Sequence, residues 1–263
     1  MSILMCRPEH YGVEYEINPW MHVDVAVDHA RAVSQWETLY GTYRGLGMPV
    51  ELADPVPGLP DMVFTANAAV VRGRRAVLSR FRHCERQREE EHWARELTRL
   101  GYDVHRLPSD LAFEGAGDAL FVGDRLFCGW GFRSDHGSHA IVGRILGVEV
   151  VSLLLVDPRF YHLDTCLCPL DEQTVLFAPA AFAPSSARLV RSTVPNVIEV
   201  PIEVAAGFAC NALRVGDRVI SSTAAAGLEA PIHDAGYNTV ALPMGEFMKA
   251  GGGVRCLSLP LPE

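Results

Sequence analysis

The residues of this chain that could do chemistry are one thiol, one imidazole and a small set of carboxylates, amides and a guanidinium. The thiol is Cys256, which follows Gly251, Gly252 and Gly253 in "AGGGVRC". Glycines let a backbone approach a ligand closely and adopt positive φ, and a thiol exposed at such a bend can act as a nucleophile. Seven residues follow Cys256, so no later helix or strand is expected to need the glycines as a cap. The rival thiol is Cys210 in "GFACNALRVGD"; it sits in an apolar, strand-like segment, where a cysteine is ordinarily inert packing.

The imidazole is His162 in "RFYHLDTCLCPL", residues 159–170. That stretch alternates polar and apolar residues like a strand, which puts His162 and Asp164 on one face. A His and an Asp so placed can form a proton-transfer pair or share a ligand. Zinc is disfavoured, because Cys166 and Cys168 are two apart and no second pair balances them. "FEGAGDAL" puts Glu114 and Asp118 on a glycine-rich bend leading into an apolar strand. Gly and Asp form turns unaided, yet a turn does not require the Glu. Asn67 interrupts the apolar run of "GLPDMVFTANAAVV" and is either structural glue or a ligand contact, since a buried amide must find partners. Asn18 in "EYEINPW" has the same quality, or starts a turn before Pro19. Arg133 in "GWGFRSD" is either a surface arginine or an anion clamp.

Elements able to position these groups are visible on both sides of them. Residues 26–47 carry an apolar stripe at Ala30, Val33, Trp36 and Leu39-Tyr40 and stop at Gly45 and Gly47; residues 86–101 repeat the plan with Trp93, Leu97 and Leu100. Further helices are expected over 135–147 and 184–191, and from residue 222 onward. Short β-rich runs bounded by Gly, Pro and Asp lie between them, among them "MPVELAD", "DMVFTANAAVV", "RAVLSRF", "DALFVGDRLFCGW", "VEVVSLLLV", "TVLFAP" and "NTVALP". Strand, strand, helix, strand recurs roughly every 50 residues, an architectural rather than a literal repeat.

Composition narrows the classes. The chain has 263 residues, 49% of them hydrophobic and 21% charged, enough for a large core in one α/β domain spanning residues 1–263. The net charge of −9 offers no basic face for nucleic acid. No stretch approaches the roughly 20 apolar residues that span a bilayer, and the N-terminus lacks the basic start of a secretory signal. Seven irregularly spaced cysteines suit reduced thiols in the cytoplasm. Neither GxGxxG nor a P-loop is present. A homo-oligomer is compatible with all of this, though nothing in the sequence fixes an oligomeric state.

Taken together, "F-T-A-N", "F-E-G-A-G-D", "G-x-G-x-R", "H-L-D-T" and a terminal "G-G-x-x-C" resemble, in order along the chain, the guanidino-group-modifying superfamily of the pentein fold. The resemblance implies an α/β-propeller of five ββαβ units around a pseudo-fivefold axis. It makes Cys256 the nucleophile and His162 the general acid/base. It gives Glu114 and Asp164 to the substrate guanidinium and Arg133 to the α-carboxylate, with Asn18 and Asn67 as further substrate contacts. No metal or organic cofactor is implied, and the partner is a small molecule, arginine or a derivative. The family's usual Glu-Gly-Gly-Asp is here one residue longer, and Asn67 stands where deiminases usually carry Asp. That amide, together with "EYEINPW", is similar to the arginine dihydrolases, which give ornithine, CO2 and two ammonia. The alternatives are a dimethylargininase or arginine deiminase giving citrulline, and an amidinotransferase. A non-catalytic binding protein of the same fold would have lost the Cys, His and acidic set, all of which are present.

Overall fold

A computed structural model describes residues 1–222 and 227–262. Its framework is five three-stranded sheets, each an antiparallel pair extended by a parallel third strand. Strands β3 (Ala69–Arg72), β4 (Arg75–Leu78) and β5 (Asp103–His105) form one; β6 (Ala119–Val122), β7 (Arg125–Trp130) and β8 (Glu149–Leu154) the next. They are followed by β9 (Leu167–Pro169), β10 (Thr174–Phe177) and β11 (Asn196–Glu199), then β12 (Leu213–Val215), β13 (Arg218–Ser222) and β14 (Asn238–Leu242). The fifth sheet joins the two ends of the chain: β15 (Leu259–Leu261) pairs antiparallel with β1 (Ser2–Cys6), which runs parallel to β2 (Val50–Ala53). A short strand, β15, therefore follows Cys256, separated from the glycines at 251–253 by residues 254–258.

In every sheet a helical segment separates the second strand from the parallel third, as a parallel pair requires a crossover. The segments include His29–Gly45, Glu89–Arg99, His136–Leu146, Pro184–Thr193 and Glu229–Asp234. The architecture is thus five ββαβ units of a pentein α/β-propeller. The first helix buries Ala32, Gln35, Trp36, Leu39 and Tyr43, so its inner face is rotated from the stripe through Ala30 and Val33 that the sequence suggested. The second expected helix breaks at Arg88 into a turn, Cys84–Gln87, and Glu89–Arg99. The helix expected from residue 222 is found at Glu229–Asp234; residues 223–226 lie outside the described residues.

Two expected strands are not strands where the chemistry sits. Residues 61–71 were expected to run extended, but Pro60–Val63 and Thr65–Asn67 are 3-10 turns and the strand starts at Ala69. Pro60, which has no N–H to give a ladder, opens the first turn. The Ala66 N–H donates to the Cys256 carbonyl at 3.1 Å and Thr65 Oγ1 to the Leu4 carbonyl at 2.8 Å, so this segment is tied to the chain ends. Likewise 159–170 is strand only at β9. Pro158–Phe160 and Leu163–Thr165 are 3-10 turns, and the Thr165 and Cys166 N–H groups donate locally to the carbonyls of His162 and Leu163. His162 and Asp164 therefore do not share a strand face; they diverge.

Candidate active site

Cys256 is held in a loop that only glycines permit. A Cβ on Gly252 would lie 2.3 Å from the Phe64 ring, and Gly251 has φ +81° with the Tyr161 hydroxyl and the Asn18 amide 2.8 and 2.9 Å from where its Cβ would be. Side chains at either position would push the aromatic wall away from the thiol. The thiol is buried, 3% exposed. Its Sγ accepts from Asn211 Nδ2 at 3.0 Å and donates to Asp164 Oδ2 at 3.4 Å. Asn211 Oδ1 accepts the N–H groups of Arg255 and Cys256, so one amide fixes both the backbone and the sulfur. Burial first, and then the Asp164 carboxylate, push the thiol pKa well above its ordinary value.

Asp164 is itself fully buried, and burial raises its pKa to about 7, against the opposing pull of Arg255. His162 points elsewhere: its Nε2–H donates to Glu114 Oε2 at 2.7 Å. The same oxygen accepts from Arg133 Nη1 at 2.9 Å, and Glu114 Oε1 accepts the Arg82 N–H at 3.3 Å. Burial alone would raise the Glu114 pKa, but the Arg133 charge and the His162 bond outweigh it and hold it well below the usual carboxylate range. Both Glu114 oxygens are thus engaged by protein, which does not fit the guanidinium grip expected of it. Asp118 accepts from the Leu163 N–H at 3.1 Å and Ser134 Oγ at 2.6 Å; it braces the loop carrying His162.

Asn67 is buried under the glycines of "EGAGD": a Cβ on Gly117 would lie 2.2 Å from its Nδ2. Nδ2 donates to the Glu114 carbonyl at 3.2 Å, and Oδ1 accepts from Arg86 Nη1 at 3.0 Å. Arg86 is pinned by a bidentate pair with Glu89, at 2.8 and 2.9 Å, and lies 3.8 Å from Asp61 Oδ2. Arg133 is buried rather than on the surface; it stacks over Tyr161 at 4.6 Å and donates to the Ile17 carbonyl. Asn18 accepts from the Trp20 N–H, as a turn residue does, and also donates to the Ala250 carbonyl beside the glycines. Asn18, Asn67, Arg133 and Cys256 line one constricted cavity of about 10 Å³ with Asp61, Arg86 and Tyr161. Glu114, His162 and Asp164 are not in its wall.

Asp61, Arg86, Tyr161 and Asn211 escaped the sequence reading. Asp61 carried a signal, a carboxylate between apolar residues in "GLPDMVF"; burial raises its pKa to about 6, with Arg86 the main opposing charge. Asn211 adjoins Cys210, the rival thiol, which is fully buried in the core. Among the described residues, Asp61 Oδ1 and Asp164 Oδ1 are both buried without a hydrogen-bond partner. An orphaned buried carboxylate oxygen is costly, and a planar cation with several N–H donors would satisfy both.

Residues 14–262 match the family described as N,N dimethylarginine dimethylhydrolase, eukaryotic. The chain is 46% identical over 268 residues to the bifunctional arginine dihydrolase/ornithine cyclodeaminase ArgZ of Synechocystis sp., covering 100% of this chain and 38% of ArgZ. It is 41% identical over 257 residues to the N(G),N(G)-dimethylarginine dimethylaminohydrolase of Mycobacterium tuberculosis, covering 98% of this chain and 84% of that one. Among solved structures, an Asn→Ser variant of the N-terminal domain of ArgZ covalently bound to a reaction intermediate superposes with a TM-score of 0.96 at 45% identity, covering 100% of this chain and 98% of that one. The chain spans well under half the length of ArgZ.

Proposed function

The chain belongs to the N,N dimethylarginine dimethylhydrolase family of guanidino-group-modifying enzymes, and on that premise we propose that it is an arginine dihydrolase, converting arginine and two waters to ornithine, CO2 and two ammonia. The observation that carries the reading is the pair of buried carboxylates beside Cys256, each with one oxygen lacking a partner among the described residues. Asp61 and Asp164 take the guanidinium between them, and Arg133 faces the α-carboxylate. Glu114 serves as the positioning anion of His162.

The thiol stays protonated in the free enzyme, because burial and Asp164 both oppose its ionisation. A bound guanidinium offsets that charge and favours the thiolate. Sγ attacks the central carbon, and His162 gives a proton to the departing ammonia. The resulting thiouronium is attacked by water, with His162 now the base. Loss of the second ammonia leaves an S-linked carbamate ester, which a second water hydrolyses; the carbamate releases CO2 and leaves ornithine. Asn67 is neutral, so the nitrogen it faces is not locked as part of a cation, and this amide sets the two-ammonia outcome.

Product analysis with arginine tests the proposal: about two ammonia and one ornithine per arginine are expected. The second reading, dimethylargininase, is favoured by the family match and the mycobacterial relative; it requires dimethylamine and citrulline from dimethylarginine. Citrulline alone from arginine would leave a deiminase. An amidinotransferase would need an added amine acceptor before ammonia or ornithine accounting changed. We read residues 1–263 as one catalytic unit acting on a small molecule. The seven free cysteines suit a reducing, cytoplasmic compartment, and no described helix is long and apolar enough to cross a membrane.

A further inference from the structure

A second hollow, of about 360 Å³, lies where the first strands of the five sheets converge. Each sheet gives it an apolar wall residue: Val70, Leu120, Pro169, Leu213 and Leu259. It shares no lining residue with the Cys256 cavity, and its volume falls in the range of pockets that hold small molecules. One side chain in it is out of keeping with the rest. Arg255 lines the hollow and is only partly buried, and among the described residues its guanidinium makes no hydrogen bond or ion pair. The other arginine at this hollow, Arg72, is already committed to the carbonyls of Leu146 and Gly147. Burial pulls the Arg255 pKa down and outweighs the opposing pull of Asp164, to which its donors make no hydrogen bond.

An apolar chamber with a single unpaired guanidinium selects a ligand of one kind. A neutral apolar molecule would leave the five N–H donors unmet, and a cation would be repelled. A carboxylate on a short apolar body meets both demands, because the guanidinium fork fits a carboxylate bidentately and the walls take the tail. We propose that this hollow is a binding site for small apolar monocarboxylates, with Arg255 as the anion-binding residue. The hollow shares no lining residue with the Cys256 cavity, and the proposal does not depend on which reaction occurs there, although the Arg255 charge also acts on Asp164.

Hexanoate is a suitable probe, added to the whole protein with labelled Ile, Leu and Val methyl groups at constant ionic strength. Saturable shifts are expected at Val70, Leu120, Leu213 and Leu259, with Ile17 of the Cys256 cavity unmoved and half-saturation at about 1 mM or below. Hexanamide and hexylamine should bind at least about tenfold more weakly, as should hexanoate to Arg255→Met. Leu120→Trp, which fills the hollow, should abolish the shifts. The comparison of hexanoate with hexanamide on the parent tests the charge even if Arg255→Met does not fold, and the shift map tests the location even if Leu120→Trp does not. Absence of saturable shifts up to about 10 mM, shifts confined to Ile17, or equal binding of hexanamide and hexanoate would each overturn the proposal.

Discussion

Glu114 accepts the Nε2–H of His162 across 2.7 Å while the same carboxylate oxygen accepts from Arg133 at 2.9 Å. On the proposed mechanism, with Nε2 committed to Glu114, proton exchange with substrate falls to Nδ1. Glu114→Gln keeps an oxygen for the hydrogen bond but removes the charge that stabilises an imidazolium. It should lower kcat about 100-fold with a much smaller change in KM. An unchanged kcat would leave Glu114 a purely structural residue. Glu114→Ala should be worse in a different way, costing about 3–5 kcal/mol of stability because Arg133 is left buried and unpaired.

Cys256 and Cys210 are both buried thiols, yet only Cys256 touches a carboxylate and an amide. Cys256→Ser should lose turnover by about 10⁴-fold or more, as removal of a covalent nucleophile does, with little loss of thermal stability. Cys210→Ser should keep kcat within a few fold but lower Tm, because a hydroxyl replaces an apolar thiol in the core, at a cost of about 1–3 kcal/mol. Turnover by Cys256→Ser near that of the parent would remove the covalent mechanism.

The pH dependence of binding follows from two carboxyls that burial pushes up, Asp61 to about 6 and Asp164 to about 7. Below those values each is protonated, neutral and unable to hold a cation. Arginine binding should therefore tighten as pH rises from about 5.5 to 7.5 and should release protons as it does so, each group contributing at most about tenfold per pH unit. Calorimetry on Cys256→Ser, in buffers of different ionisation enthalpy, separates binding from chemistry. A pH-independent affinity with no proton release would mean that neither carboxyl holds the guanidinium.

The repeat was legible because each unit spells its turns and its alternating strands locally, from "RAVLSRF" to "NTVALP". What the sequence could not give is how turns override alternation. The stretch "YHLDTC" has a strand's pattern, but its N–H groups close 3-10 turns, and so His162 and Asp164 part company. Asn67 and Cys256 stood out because an amide in an apolar run and a thiol after glycines are locally odd. Arg86 did not, since an arginine in a charged helix looks like solvent-facing surface; only the fold brings Glu89 and Asn67 to it. Asn211 stands 45 residues before the sulfur it contacts, and no spacing rule links the two.

Arg133 presents a guanidinium in the cavity wall, steadied by Tyr161 and by the Ile17 carbonyl. As the partner of a substrate carboxylate it demands that group. Agmatine, which lacks it, should show kcat/KM lower than arginine by about 10²-fold or more, because the N–H donors of Arg133 not taken by Glu114 and the Ile17 carbonyl are left without an acceptor. Arg133→Lys should narrow that preference, since an ammonium cannot reproduce the fork. Equal turnover of agmatine and arginine by the parent would take this role from Arg133.

Asn67 offers the sharpest test, and the structure makes its terms more exacting. Its amide nitrogen donates to the Glu114 carbonyl and its oxygen accepts from Arg86. In Asn67→Asp the Arg86 bond persists and is charge-assisted, but the Glu114 carbonyl loses its donor and faces an anion instead. That change should cost about 1–3 kcal/mol of stability before any catalytic effect is counted. The catalytic effect has a definite sign. A fixed anion beside the thiouronium accepts charge-assisted hydrogen bonds from the nitrogen it faces and holds it in place, which opposes its departure as ammonia. Loss of the second ammonia should slow relative to expulsion of the thiol, so citrulline should appear where the parent gives ornithine, with ammonia per arginine falling from about two towards one. Asn67→Ser keeps the site neutral while giving up the amide, so it should hold ornithine as the main product at reduced rate. If Asn67→Asp, folded and active, still yields only ornithine and two ammonia, the charge at this position does not govern the outcome, and the partition between one and two ammonia must be set by other groups around Cys256.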